Sequence, residues 1–312
     1  MQIPVYLFTG FLESGKTTFI VDTLRDPNFS EGQKTLVIVC EEGELDYEDD
    51  LVEETNSVIV YLESQEELTS DLLAELQKKH KPDQVIIEYN GMWPMSYLQQ
   101  IDLPRKWVLA EILTTVDAST FQNYMNNMRS IIMDQFSQSD VLIFNRCQPD
   151  TPKASFGRTV KASNRRVRLI YENADGTIDN NVEEELPFDI EADVIDLEDE
   201  DYGIWYIDAM EHPEKYEGKK IRFTAIVFKD RKMPEGVFVP GRHAMTCCAD
   251  DIAFLGFLCK TPAAKNLKIR DWIKVEADIK IENLKEYHGD GPVLYATCIE
   301  KTEKPKEELV YF

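Results

Sequence analysis

Residues 9–18 read TGFLESGKTT. Gly10 and Gly15, followed by Lys16 and Thr17, fit G-x-x-x-x-G-K-[ST], a loop that wraps backbone N–H groups around phosphates. The flanks agree. IPVYLFT (3–9) is a short apolar run with Val and aromatics, and KTTFIVDTL (16–24) continues at helical spacing. A strand, a glycine loop and a helix in that order aim the loop amides and the helix N-terminus at an anion. Gly10 and Gly15 permit the turn and the close approach of a phosphate. Lys16 is expected to reach the β- and γ-phosphates of a nucleotide, and Thr17 to offer its hydroxyl to Mg2+. Ser14 and Thr18 complete the set of loop contacts. A carboxylate, Glu13, stands in the middle of this loop. Such loops bind through their backbone, so the Glu13 side chain is expected to project outward while its peptide stays part of the cradle.

Outward from the loop, apolar runs alternate with amphipathic ones. TLVIVC (35–40), SVIVYL (57–62), QVIIE (84–88), LAEILTTVD (109–117), DVLIFN (140–145) and VRLIY (167–171) read as buried strands. QEELTSDLLAELQKKH (65–80) reads as a helix. Leu68, Leu72, Leu73 and Leu76 form its apolar face, with acids early and lysines late. Strands separated by helices predict an α/β P-loop NTPase domain with a mostly parallel sheet, over residues 1–185. QVIIEYNG supplies the second acid such a site needs. Glu88, at a strand end, would hold Mg2+ through water, and the Gly91 amide would face the γ-phosphate.

The chain has 312 residues, 43% of them hydrophobic, which is enough for a substantial core. Its 58 acids against 34 bases give a formal charge of −24, a balance that argues against nucleic acid as a partner. MQIPVYLFTGF has no basic region ahead of an apolar run, and no apolar stretch approaches roughly 18 residues. Neither a signal peptide nor membrane insertion is expected. The six cysteines do not form a disulfide framework in a chain of this length, so a cytoplasmic location is expected.

Residues 182–203 are dense in acid and read as a solvated connector, assigned to 186–215, or as a loose site for hard cations, although the interspersed Leu186, Phe188, Val194, Ile195 and Leu197 point to ordered parts. From 216 the texture changes to five β-rich runs punctuated by Gly, Pro, Asn and Asp. A smaller all-β domain over 216–312, of the OB barrel type, fits them. PGRHAMTCCADD brings His243, Cys247 and Cys248 close in sequence, a donor set suited to Zn2+ or a similar ion if the chain bends there. RTVKASNRRVR (158–168) is a basic island that reads as a solvated helix face, or as a contact to a nucleobase or to the acidic connector.

With these residues in view the chain resembles the CobW-type P-loop GTPases, linked to metal homeostasis and cobalamin-related metal insertion. TGFLESGKTT, the Glu88-x-x-Gly91 of IIEYNGMWP, TTVDA (114–118) and DQFSQSDVLIFNR (134–146) carry the resemblance, which covers roughly residues 1–185. The family usually has Gly where this chain has Glu13, and it uses Glu in the strand motif, as at Glu88. There are three departures. The family's Cys-x-Cys-Cys is matched by NSVIVYLESQEEL, which has no cysteine. Its Asn-Glu-Phe-Gly-Glu switch becomes Cys40-Glu41-Glu42-Gly43-Glu44, where Glu41 and Glu44 would approach Mg2+ or the attacking water. Its guanine-reading Asn-Lys-x-Asp becomes Asn145-Arg146-Cys147-Gln148. Asn145 keeps a base contact, and Gln148 or Asp150 stands for the carboxylate. Residues 202–230 and 241–251 resemble the C-terminal domain of a bacterial membrane-associated family encoded beside permeases.

The expected protein is a GTP-binding, Mg-dependent nucleoside-triphosphate hydrolase that acts as a switch or metallochaperone, with ATP left open. Lys16, Glu88 and Glu41 would be its catalytic residues. Its partners would be nucleotide and a client protein, such as a metalloprotein. The alternatives are a non-catalytic nucleotide- and partner-binding module and a P-loop kinase.

Overall fold

The computed structural model describes residues 2–41, 43, 47–179, 182, 186–230, 232–245, 252–287 and 289–310. The chain divides into two compact units, residues 1–182 and 183–312.

The first unit holds β1 (Ile3–Thr9), β2 (Thr35–Val39), β3 (Ser57–Tyr61), β4 (Gln84–Glu88), β5 (Trp107–Asp117), β6 (Val141–Cys147), β7 (Arg168–Asn173) and β8 (Ile178–Asp179). They lie in the order β3-β2-β4-β1-β5-β6-β7-β8. Pairings from β3 through β7 are parallel, and β8 adds an antiparallel edge. A parallel sheet covered on both faces needs strands that are apolar on both faces. β2 (TLVIV) and β4 (QVIIE) meet this need, being buried at every residue. Successive side chains go to opposite cores. Val5, Leu7, Leu36, Ile38 and Ile87 pack with Leu73 and Leu76 on one side. Phe8, Val37, Val39 and Ile86 pack with Ile20 and Leu24 on the other.

The helix expected over 65–80 is shorter. Thr69 accepts the Leu72 N–H and caps a helix Ser70–His80, preceded by a 3-10 turn at Gln65–Glu67. β6 runs past its expected end to Cys147, with a register shift between Phe144 and Cys147.

Strand order positions the site. β1 lies between β4 and β5, and the chain leaves β1 for β2 on one side and reaches β5 on the other. Ligands of open α/β sheets bind beyond the carboxyl ends of the strands at such a reversal. The register brings those ends level: Phe8 pairs with Glu88, Thr9 with Thr114 and Asp117 with Asn145.

The second unit holds β9 (Ile195–Asp196), β10 (Lys220–Phe228), β11 (Val237–Ala244), β12 (Ala253–Gly256), β13 (Cys259–Lys260), β14 (Trp272–Leu284), β15 (Gly289–Lys301) and β16 (Leu309–Val310). The pairings β11–β13–β15–β14–β10 return to β11 and close a five-stranded ring, the form expected of an OB-type barrel. Alternation drives it. Ile221, Phe223, Ala225 and Val227 of β10 face the core, as do Ile273, Val275, Ala277 and Ile279 of β14.

The stretch 186–215 differs from a plain solvated link. Phe188, Ile195 and Leu197 are buried, and a helix Tyr202–Glu211 sends Tyr202, Trp205 and Ala209 into the second core. The acids Asp199–Asp201 form a turn just before that helix, where its dipole favours negative charge. Trp205 meets Phe257 edge-on at 5.2 Å between ring centroids. Asp208, buried in this helix, is satisfied by Tyr216 Oη at 2.5 Å and Lys215 Nζ at 2.9 Å. Among the described residues, no helix is long and apolar enough to cross a membrane.

Candidate functional site

The loop after β1 turns on its glycines. Gly10 has φ +136°, and a Cβ there would lie 2.3 Å from the Thr115 carbonyl oxygen. Gly15, at φ +96°, is the N-cap of the helix Lys16–Arg25 and gives it no side-chain cap. The first N–H groups of that helix therefore keep the capacity to bind an anion. Ser14 Oγ lies 2.8 Å from Thr115 Oγ1, which moors the loop to β5.

Lys16 is buried beneath this loop. Its ammonium donates to the carbonyls of Gly10 at 2.8 Å and Phe11 at 2.9 Å, and it forms an ion pair with Glu41 at 2.6 Å. Three donors meet three acceptors, so phosphate oxygens can bind this ammonium only by replacing one of them. Glu41 is thus held by Lys16.

Thr17 donates its hydroxyl to Glu88 Oε1 at 2.6 Å, and Tyr47 donates to Glu88 Oε2 at 2.7 Å. Burial pushes the Glu88 carboxyl above the usual carboxylate range, and these two hydrogen bonds with the nearby Lys16 charge offset only part of that. Burial, with Glu88 and Glu41 close by, also pushes the Cys40 thiol up to about 12, so it stays protonated. Thr17, Glu88 and Glu41 present oxygen donors around one cleft, a set that fits a hard divalent cation.

Asn145 Nδ2 donates to the Ser14 carbonyl at 2.7 Å, and a Cβ on Gly15 would meet that nitrogen at 2.5 Å. Among the described residues the buried Asn145 Oδ1 has no hydrogen-bond partner. Arg146, at φ +54°, donates to the Glu13 carbonyl at 3.0 Å and pairs with Asp117 at 2.5 Å. Partial burial works to raise the Asp117 carboxyl. Hydrogen bonds from Ser119 and Arg146 outweigh it and hold the group below its ordinary value.

Two cavities meet across Gly15, Thr18 and Arg146. One, about 200 Å³, is lined by Glu13, Lys16, Thr17, Glu41, Gly43 and Glu88. The other, about 940 Å³, runs past Phe19, Asp22, Asn145, Arg168, Ile170 and Asn173. The first suits a phosphate tail and the second a nucleoside. Gln148 and Asp150 are exposed and line neither cavity, whereas Arg168 of the basic island lines the second.

The structure thus gathers Gly10, Glu13, Ser14, Gly15, Lys16, Thr17, Thr18, Glu41, Glu88, Gly91 and Asn145 around one crevice. Gly91 belongs by packing: a Cβ on it would lie 2.2 Å from the Gly10 carbonyl oxygen. Tyr47, Thr115, Asp117 and Gln135 (whose Nε2 donates to the Gly91 carbonyl at 2.7 Å) were not expected in these roles. Thr115 and Asp117 lie in the quoted TTVDA and Gln135 in the quoted DQFSQSDVLIFNR, whereas Tyr47 lies in no quoted motif.

His243 is exposed on β11, edge-on to Phe254 at 5.3 Å. Cys247, Cys248 and Glu44 lie outside the described residues. Among the described residues, no group of three or more His, Cys, Asp or Glu stands where it could hold a metal.

Glu13 is exposed at the rim and adopts φ +61°, a left-handed conformation that costs a non-glycine residue about 1–2 kcal/mol. Glu13→Gly removes that strain but adds freedom to the unfolded chain. Thermal melting is expected to show a gain of about 0.5–1 kcal/mol. Because the side chain is solvated, nucleotide affinity is expected to change less than about threefold.

Residues 4–171 match the family model described as CobW/HypB/UreG, nucleotide-binding domain, and residues 172–312 match the DUF1980 C-terminal domain. The zinc chaperone YeiR of Escherichia coli (strain K12) is 28% identical over 160 residues, covering 47% of this chain and 48% of that protein. The zinc chaperone CobW of Sinorhizobium sp is 30% identical over 105 residues, covering 29% and 28%. The chain therefore spans about half the length, or less, of these curated relatives. Among solved structures, the Zn(II)-bound YjiA GTPase from E. coli is 18% identical, with a TM-score of 0.43 over 85% of this chain and 91% of that one. The fold assignment rests on the strand order and the glycine loop, not on that likeness.

Proposed function

The chain belongs to the CobW/HypB/UreG family, and we propose that it binds GTP with Mg2+, hydrolyses it slowly, and uses the cycle to deliver a metal ion, zinc, to a client protein. One observation carries the nucleotide part. Lys16, Thr17, Glu41 and Glu88 converge beneath a glycine loop at the carboxyl ends of β1, β2 and β4. Lys16 would draw the β- and γ-phosphates into the loop, and the N–H groups of the helix Lys16–Arg25 would hold them. Glu88 fixes the Thr17 hydroxyl. Thr17 and Glu88 would hold Mg2+, which when bound neutralises charge on the phosphate oxygens. Phosphate binding at Lys16 releases Glu41, so the segment after β2 changes its contacts with the nucleotide state.

The names of the relatives support zinc as cargo. His243, Cys247 and Cys248 are the proposed donors. Purified protein is expected to retain zinc in elemental analysis, and the Cys247→Ser, Cys248→Ser variant to lose it. A parent that acquires no zinc would remove the metal from the proposal.

Phosphate release with GTP and with ATP tests the enzymatic part. Free phosphate is expected with Mg2+ and GTP. Since Gln148 stands away from both cavities, GTP is expected to be preferred over ATP by no more than roughly tenfold, far below what a site that fully hydrogen-bonds its base achieves. Binding without phosphate release would leave a non-catalytic module, and a phosphorylated metabolite would identify a kinase.

A further inference from the structure

Glu88 is held from two sides. Oε1 receives the Thr17 hydroxyl at 2.6 Å and Oε2 the Tyr47 hydroxyl at 2.7 Å. The Tyr47 ring is buried with Phe8, Val39, Leu51 and Ile86, next to the start of the helix Asp49–Glu54. The other end of the same segment is tied to the same residue, since the Cys40 N–H donates to the Glu88 carbonyl at 2.9 Å. Between these two anchors Glu41 reaches Lys16. One residue at the end of β4 therefore fastens both ends of the segment that touches the phosphate-binding lysine.

A carboxylate with one anchored oxygen still turns about its last torsion, which is broad for an sp³–sp² bond. A second donor on the other oxygen removes that freedom. We propose that Tyr47 is a positioning residue of this site, whose hydroxyl aims the Glu88 carboxylate so that the Thr17 proton goes to Oε1 and the Thr17 lone pairs face a divalent cation. This rests on the nucleotide reading above. Tyr47 touches no nucleotide itself. It acts through Glu88, whose carbonyl also receives the Cys40 N–H.

Tyr47→Phe keeps the ring and deletes only the hydroxyl. GTP binding is measured by titration over a range of Mg2+ concentrations and again in EDTA, for the parent, Tyr47→Phe, Glu88→Gln and the double variant. For Tyr47→Phe the half-saturating Mg2+ is expected to rise about fivefold or more, with affinity in EDTA unchanged within about twofold. The double variant is expected to be no worse than Glu88→Gln alone, because Tyr47 acts only through that carboxylate. A purely structural hydroxyl would shift the melting temperature and leave the Mg2+ dependence alone. A parent that responds to Mg2+ while Tyr47→Phe responds identically overturns the role of Tyr47, as does an additive loss in the double variant. A parent whose nucleotide binding ignores Mg2+ contradicts the reading of the site and this proposal with it.

Discussion

Lys16→Ala is expected to lower affinity for Mg–GTP by roughly a hundredfold or more, equivalent to about 2.7 kcal/mol. The Lys16 side chain is 4% exposed and lies beneath the loop that would carry the phosphates. A charge-assisted hydrogen bond from such a buried donor is worth more than one at a surface. The same substitution acts on the protein alone. Glu41, 10% exposed, loses its cation, and the carbonyls of Gly10 and Phe11 lose their donor. Removing one partner of a buried pair costs stability because the other charge remains. The variant is therefore expected to melt a few degrees lower, and its affinity is to be measured below that transition. A folded Lys16→Ala protein that holds nucleotide as firmly as the parent would show that this loop is not the phosphate site.

Gly91→Ala is the second change with a large expected effect. The added Cβ would lie 2.2 Å from the Gly10 carbonyl oxygen, 2.7 Å from its carbon and 2.9 Å from Phe11 Cα. All three are backbone atoms, so no side chain can rotate away. Gly91 cannot easily retreat, since its carbonyl is held by Gln135 from the helix Arg129–Gln138. The glycine loop must move, at about 1–3 kcal/mol of overpacking. Calorimetry is expected to show nucleotide affinity reduced about tenfold or more, and melting to show the matching loss of stability. Parent-like binding would mean that the contact between Gly91 and the loop does not shape the site.

The parts of the molecule legible in the sequence are those written in local patterns. The spacing from Gly10 to Thr17, the apolar runs of β2 and β4 and the acid ending β4 each occupy a few consecutive residues, and each stands where it was read. The five β-rich runs beyond residue 216, punctuated by Gly, Pro, Asn and Asp, likewise marked the barrel. What was not legible depends on long-range meetings. Tyr47 meets Glu88 across 41 positions and Gln135 meets Gly91 across 44, and nothing in LDYEDD or MDQFSQ announces either. The helix Tyr202–Glu211 was hidden by averaging, because its apolar YGIWYIDAM follows a run of acids that dominates the composition. Glu41 was placed near the cleft by the resemblance of residues 40–44 to the family's switch motif, but its bond to Lys16 arises only once β2 and β1 are set in one sheet.

On the proposed function, residues 10–17 cradle the phosphate tail of a nucleotide. Hydrogen–deuterium exchange of the parent protein, with and without Mg–GTP, tests it most directly. Slower exchange confined mainly to residues 10–18 and to the segment after β2 is expected. Exchange in the loop that is the same with saturating nucleotide as without it would contradict the claim.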